Sequence, residues 1–174
     1  MPTRNIFTKA LIAELIILIC ALGIPAQSNS TAKPAAPFVA VTEYNPKRDA
    51  SADLAAAIKE AARTHKNVLV EVGGNWCSWC HTLDKFFAAH AELTQLRDKN
   101  FVLVKINFSD ENNNVAVLSR YPQIEGYPHI FFLDSKGKLL RSQDTGTLED
   151  GRSYSLERLT TVLTKWGPKG STGD

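Results

Sequence analysis

Two cysteines separated by two residues follow directly on an apolar run, and this arrangement restricts the fold more than any other feature of the sequence. Residues 68–72 are apolar apart from Glu71, which is typical of a strand covered on both faces of a sheet. Residues 73–75 break the run, and Trp76-Cys77-Ser78-Trp79-Cys80 then begins a helical pattern. The sequence therefore predicts a buried strand that leads a cysteine pair to the start of a helix.

The order of the other elements extends this unit to one α/β domain. Ser51 is expected to cap a helix that runs to about Lys66, and residues 144–151 are expected to form a loop. Strands are predicted at residues 38–42, 68–72, 101–108, 129–134 and 138–142, and helices at 51–66, from 77 onward, 92–99, 115–121 and 155–166. The order βαβαβαββα implies an α/β fold with a central mixed sheet flanked by helices, and residues 38–167 are enough for one core.

The first residues have the pattern of a targeting signal. Residues 1–26 comprise a short positively charged start, an apolar stretch and small residues before Ala26, as in a signal peptide. Glu14 interrupts the apolar stretch and leaves an uncleaved membrane anchor as the alternative. Residues 27–37, rich in Ser, Thr, Ala and Pro, are predicted to be a linker, and residues 168–174 a flexible tail. We therefore expect a periplasmic or secreted protein, anchored to the membrane only if the leader is retained.

Composition and cysteine number narrow the classes of function. The 174 residues are 44% hydrophobic and 22% charged, which excludes a wholly disordered chain. The net charge is +2 without a basic face, so no nucleic-acid partner is expected. Cleavage after Ala26 removes Cys20 and leaves Cys77 and Cys80 as the only cysteines. An isolated pair in an exported protein favours a redox role.

The spacing of Cys77 and Cys80 suits thiol–disulfide exchange. Two cysteines three positions apart at a helix start can close a small disulfide ring. The positive end of the helix dipole near Cys77 favours its thiolate, which attacks a disulfide sulfur and forms a mixed disulfide. Cys80 lies one turn later and can displace the captured partner.

These residues resemble the thioredoxin family. Residues 74–80 are similar to the family's Trp-Cys-x-x-Cys active site, and Glu71 stands six positions before Cys77, where the family has a buried acid. Residues 104–107 resemble the strand that carries the family's lysine near that acid. Gly126-Tyr127-Pro128 resembles the segment that carries its cis-proline. The resemblance extends over nearly the whole predicted domain.

The resemblance implies a thioredoxin-like fold and the activity of a thiol–disulfide oxidoreductase. Cys77 is then the nucleophile, Cys80 the resolving thiol and Glu71 the proton acceptor. The residues expected to line the substrate groove are Trp76, Trp79, Tyr127 and Pro128. By the same likeness, a bound substrate strand pairs with the backbone at Tyr127.

The expected partners are cysteine-containing exported proteins and a protein that donates or accepts electrons. We expect a monomer that contacts a membrane only through a retained leader. The reversible Cys77–Cys80 disulfide carries the electrons, so no metal or organic cofactor is implied. Ser78 and Trp79 replace the Gly-Pro of thioredoxin, so the redox potential does not carry over from that family.

Two charged residues of the predicted strands are expected to lie in different environments. Glu71 belongs to an apolar strand, where burial raises the pKa of a carboxyl and suits it to accept a proton. Lys105 alternates with apolar residues, and this pattern alone favours a side chain that faces solvent.

Three alternatives remain open on the residues alone. The run Cys77-Ser78-Trp79-Cys80-His81 also fits the attachment motif of a c-type haem, with His65, His90 or His129 as the second axial ligand because Met1 is the only methionine. The cysteines could instead form a structural disulfide or bind zinc together with His81. The third alternative is a thioredoxin-fold binding module without turnover.

Overall fold

The structure, a computed structural model, describes residues 37–169, all of which belong to one compact unit. The predicted signal peptide lies outside the described residues, as do most of the predicted linker and most of the predicted tail. Within residues 37–169, no helix has the length and apolar character needed to cross a membrane.

A four-stranded mixed sheet forms the centre of the fold, in the order β2-β1-β3-β4. Its strands are β1 (Asn67–Gly73), β2 (Phe101–Asn107), β3 (His129–Leu133) and β4 (Leu139–Asp144). Strand β1 is parallel to β2 and antiparallel to β3, and β3 is antiparallel to β4. The helices are α1 (Ala50–Thr64), α2 (Ser78–Ala89), α3 (Ala91–Asn100), α4 (Val115–Leu118) and α5 (Leu156–Trp166).

Strands β1, β2 and β3 are buried on both faces of the sheet because they carry apolar residues at both alternating positions. On one face, Val68 of β1 packs in a cluster with Leu54 of α1. On the other face, Leu69 packs in a cluster with Leu83 of α2 and Leu159 of α5. The sheet therefore lies between two helical layers, which confirms the predicted mixed sheet flanked by helices.

The predicted first strand at residues 38–42 is wrong. Val41 alone of this segment joins the sheet, through an isolated parallel bridge to Val104. Its carbonyl oxygen accepts a hydrogen bond from the backbone N–H of Lys105 at 2.9 Å. The neighbouring Val39 stays exposed, so the segment gains too little burial to extend this pairing.

The N-cap of the first helix lies two residues earlier than predicted. Asp49 caps α1 in place of Ser51, because its carboxylate accepts hydrogen bonds from the backbone N–H groups of Ser51 and Ala52. The helix ends at Thr64, and His65 takes a left-handed conformation with φ 56°.

Two other predicted elements differ in extent. Helix α4 ends at Leu118, before the predicted end at residue 121. Residues 144–151 contain a 3-10 helix (Thr145–Leu148) and strand β5 (Glu149–Asp150), which pairs with β6 (Ser153–Tyr154). Burial of Leu148 and Tyr154 orders this segment, which reads as a polar loop in the sequence.

Candidate active site

Cys77 and Cys80 are joined as a disulfide at the start of α2, with their Cα atoms 5.3 Å apart. Cys77 is the N-cap of the helix, and its sulfur accepts a hydrogen bond from the backbone N–H of Cys80 at 3.1 Å. Cys77 is 4% exposed and Cys80 is 0% exposed. Both cysteines are therefore buried, and Cys77 keeps the greater exposure of the two.

The turn between β1 and α2 fixes the disulfide above the end of the sheet. The backbone N–H of Cys77 donates to the carbonyl oxygen of Gly74 at 3.0 Å, and the N–H of Phe108 donates to that of Gly73 at 2.6 Å. Helix α2, which lies wholly within the described residues, has no acidic residue in its first turn. The positive end of its dipole is therefore free to stabilise a thiolate on Cys77.

An aromatic wall borders the disulfide, formed by Trp76, Phe108 and Tyr127. The indole N–H of Trp76 donates to the carbonyl oxygen of Phe108 at 2.7 Å, and its ring lies edge-on to Tyr127 at 5.5 Å. Tyr127 in turn stacks on Phe108 at 5.0 Å. Trp76 is nevertheless 58% exposed, so the wall presents apolar surface to solvent beside the sulfurs.

A cavity of about 500 Å³ adjoins the outer side of this wall. Its lining includes Pro46, Asn75 and Trp76, and the segment after β2, residues 107–111. The cavity is open to solvent, and polar residues form most of its rim.

The peptide bond between Tyr127 and Pro128 is cis, as the resemblance implied. Tyr127 packs against the cluster that contains both cysteines. The carbonyl oxygen of Pro128 accepts a hydrogen bond from the hydroxyl of Thr145, a buried residue that the sequence analysis did not identify. Thr145 belongs to the segment that was predicted to be a loop, and no local motif marks it.

Trp79, the second tryptophan of the motif, lies in a different environment from Trp76. Trp79 is half-buried, and its ring lies edge-on to Tyr154 at 5.6 Å. It packs against both the α2–α5 side of the core and the cysteine cluster. Trp76 therefore offers more contact area to a partner than Trp79 does.

Glu71 lies on β1, two residues before Gly73, and is almost completely buried. Lys105 is its register partner on β2, with 3.3 Å between Nζ and Oε1. The ammonium of Lys105 also pairs with the carboxylate of Asp84 on α2. The prediction that Lys105 faces solvent is therefore wrong. The Lys105 side chain lies on the same face of β2 as Leu103, and this face packs against the helical layer that contains α2.

Burial raises the pKa of Glu71 above its ordinary value, although the positive charge of Lys105 acts in the opposite direction. The hydroxyl of Tyr44 donates a hydrogen bond to Glu71 Oε1 at 2.5 Å. Tyr44 is buried in the cluster with Cys77 and Cys80. Tyr44 carries no signal in the sequence, because it lies 27 positions before Glu71 in an irregular segment without a motif.

The histidines of the haem alternative are spread over the fold. His81 lies in the first turn of α2, with Nε2 2.9 Å from the carbonyl oxygen of Asn75. His90 contacts Phe86 at the far end of the same helix, and His129 is buried beside Ser142. Among residues 37–169, no group of three or more His, Cys, Asp or Glu side chains could hold a metal ion.

Comparison with known proteins identifies relatives of this domain. Residues 49–135 match the family described as thioredoxin-like. The disulfide bond reductase DsbH of Chlamydia pneumoniae is 24% identical over 95 residues, which cover 49% of this chain and 57% of the reductase. Protein disulfide isomerase-like 1-4 of Arabidopsis thaliana is 32% identical over 80 residues, which cover 45% of this chain and 12% of that protein. The matched region is thus little more than half of the reductase and a small part of the isomerase-like protein.

A solved structure extends the likeness to the whole domain. The crystal structure of a disulphide isomerase from Xylella fastidiosa Temecula1 has a TM-score of 0.62 and 28% sequence identity to this chain. The alignment covers 74% of this chain and 98% of the isomerase. With the family match, it identifies the mixed sheet and its flanking helices as a thioredoxin-like fold.

Proposed function

This chain belongs to the thioredoxin-like family, and we propose that it is a thiol–disulfide oxidoreductase that exchanges disulfides with cysteine-containing exported proteins. The observation that carries the proposal is the position of the Cys77–Cys80 disulfide, at a helix N-terminus and beside an exposed aromatic wall. A purely structural disulfide has no need of that wall or of a buried acid.

In this proposal the reduced protein attacks through Cys77. The Cys77 thiolate displaces one sulfur of a substrate disulfide and forms a mixed disulfide with the other. Cys80 then attacks Cys77, which releases the second substrate thiol and restores the Cys77–Cys80 disulfide. Glu71 is proposed to accept the proton that Cys80 must lose, since its raised pKa brings it closer to neutral pH.

Substrate contact is proposed on the surface around the disulfide. Trp76 and Tyr127 supply apolar area for a peptide, and Trp79 supports them from the interior side. The backbone at Tyr127 and Pro128 is proposed to pair with an extended substrate strand. The names of the relatives, a disulfide bond reductase and disulfide isomerases, support this class of substrate.

The proposals for the compartment and for the remaining partners are based on the predicted leader, residues 1–26. We propose that residues 1–26 direct the protein to the periplasm or the cell exterior, where disulfides persist. There it works as a monomer with a protein that donates or accepts electrons. The membrane takes part only if the leader is retained.

A glutathione redox titration tests the proposed activity. Alkylation followed by mass measurement should record one reversible conversion between the Cys77–Cys80 dithiol and disulfide. The variant Cys77→Ser should undergo no such conversion and should not reduce insulin, while it stays folded. A wild-type protein whose two sulfurs never join, or whose disulfide glutathione cannot open in the folded state, would overturn the proposal.

A further inference from the structure

The predicted site residues supply an acceptor for the Cys80 proton, Glu71, but no path by which the proton reaches it. Cys80 is 0% exposed, so the thiol formed on reduction has no direct contact with solvent. A thiol must lose its proton before or during attack on a mixed disulfide. The proton therefore has to pass to a buried neighbour.

Tyr44 contacts the buried acid and packs in the same cluster as Cys80. A Cβ atom placed on Gly73 would come within 2.5 Å of Cys80 Sγ and 2.8 Å of the Tyr44 hydroxyl oxygen, so both atoms border the space above this glycine. The same hydroxyl donates to Glu71 Oε1 at 2.5 Å. Tyr44, Cys77 and Cys80 form one buried cluster.

We propose that the Tyr44 hydroxyl relays the proton from Cys80 to Glu71. When Cys80 attacks the mixed disulfide, its S–H bond breaks and the proton passes to the Tyr44 oxygen. The O–H proton of Tyr44 passes at the same time to the Glu71 carboxylate. The Cys77–Cys80 bond forms, and the bond from Cys77 to the substrate sulfur breaks. The substrate leaves as a thiolate with two electrons and takes up a proton from solvent.

The surroundings of Tyr44 suit a hydroxyl that passes a proton on, rather than one that ionises itself. Burial raises the pKa of Tyr44 far above its ordinary value, so the hydroxyl holds a proton at every working pH. Its oxygen is free to accept from a thiol while it donates to Glu71. The other titratable groups that act on this pair are Lys105, Asp84 and Tyr154. Asp84 is 45% exposed, so the chain of polar groups continues to solvent at the side of α2.

This inference rests on the proposed function, and one experiment can separate the two. The reduced protein is mixed with equimolar 5,5′-dithiobis(2-nitrobenzoate), which releases one coloured thiol when Cys77 attacks and a second when Cys80 attacks Cys77. Wild-type protein should give two phases and end with a Cys77–Cys80 disulfide. Absence of the second phase in wild type would count against the proposed function itself.

The variant Tyr44→Phe tests the relay, because it keeps the ring and removes only the hydroxyl. We expect the second phase to slow by at least about tenfold at pH 7, with the first phase unchanged. The difference should shrink above about pH 9, where a thiol ionises without a base. The control Tyr121→Phe should match wild type, because Tyr121 stacks on Phe131 in a different cluster from the cysteines.

Glu71→Gln supplies the second arm of the test. Its effect on the second phase should be lost in the Tyr44→Phe background, since either change interrupts the same path. If each change slowed the second phase independently, so that the two factors multiplied in the double variant, the relay would be overturned. So would a Tyr44→Phe second phase as fast as that of wild type at pH 7, or one slowed equally at every pH.

Discussion

Glu71 and Lys105 face each other across the parallel strands β1 and β2, as direct register partners whose charged groups are both buried. Side chains alternate between the two faces along both strands. Val70 and Val104 pack against one helical layer. Glu71 and Lys105 lie on the opposite face, on the side of the helix that begins at the disulfide. Taking two charges out of water is unfavourable unless each finds partners. Here Tyr44 and Asp84 supply those partners, and the four side chains form one network that Tyr44 joins to the cysteine cluster.

Lys105→Met should destabilise the oxidised protein by about 3 kcal/mol at neutral pH, because it leaves the Glu71 carboxylate buried without its counter-charge. The loss should diminish at low pH, where Glu71 takes up a proton. Urea unfolding at several pH values measures both effects. In the double variant Lys105→Met with Glu71→Gln the loss should be much smaller. An equal loss in the single and double variants would mean that Lys105 stabilises the fold without Glu71.

Glu71→Gln should change the pH dependence of stability. The pKa of Glu71 is raised by burial in the folded state above its ordinary value of 4.5. The folded protein therefore holds this proton at pH values where the unfolded chain has lost it, and stability falls as pH rises through the folded-state pKa. The variant, which cannot ionise, should lose this decline. Thermal unfolding of the oxidised form from pH 4 to 9 provides the measurement, with exposed Glu43→Gln as the control. Parallel wild-type and Glu71→Gln profiles would contradict the assignment.

The regular elements and the cysteine motif were predictable because their signals are local. The apolar run of β1 and the break at Gly73 marked the strand, and the resemblance to a known motif singled out Glu71 and Pro128. The prediction for Lys105 was wrong because the alternation of polar and apolar residues along β2 does not show whether a second helical layer covers the face that carries the lysine. Tyr44 and Thr145 were missed because each reaches the site from an irregular segment, through contacts that only the tertiary fold creates.

Cys80→Ser should trap partners of the site. In the chain cleaved after Ala26, Cys77 can still attack a disulfide, but no second thiol remains to release the product, so a mixed disulfide accumulates. Incubation with oxidised insulin and a non-reducing gel should reveal an adduct that reductant removes. The matched variant Cys77→Ser should form far less adduct, because its remaining thiol at Cys80 is buried. Equal adduct formation by both variants would contradict the assignment of Cys77 as the nucleophile and Cys80 as the resolving thiol.

His129 should make the protein less stable in mild acid. It follows the cis-proline and is buried, with Nε2 2.8 Å from the Ser142 hydroxyl and with no partner for Nδ1 among the described residues. Burial lowers the pKa of His129 below its ordinary value of 6.5. Stability is therefore complete above pH 6.5 and falls as pH decreases toward the folded-state pKa, since the unfolded chain binds the proton first.

The variant His129→Gln checks this assignment, because it keeps a polar side chain that cannot titrate. Its unfolding free energy should stay flatter than that of wild type between pH 6.5 and pH 4.5. The exposed His65, at the end of α1, is the control, and His65→Gln should retain the wild-type slope. A wild-type slope in His129→Gln would place the acid sensitivity elsewhere.

Gly73 should tolerate no side chain, because the end of β1 lies directly against the disulfide. A methyl group there would come within 2.5 Å of Cys80 Sγ and 2.8 Å of the Tyr44 hydroxyl oxygen. Both atoms belong to buried side chains held by other contacts, so Gly73→Ala should destabilise the oxidised protein by about 1–3 kcal/mol in urea unfolding. Gly126→Ala is the matched control, since no heavy atom of the described residues lies within 4 Å of its added carbon. It should stay within about 0.5 kcal/mol of wild type. If Gly73→Ala were equally harmless, the end of β1 would not lie directly against Cys80 and Tyr44.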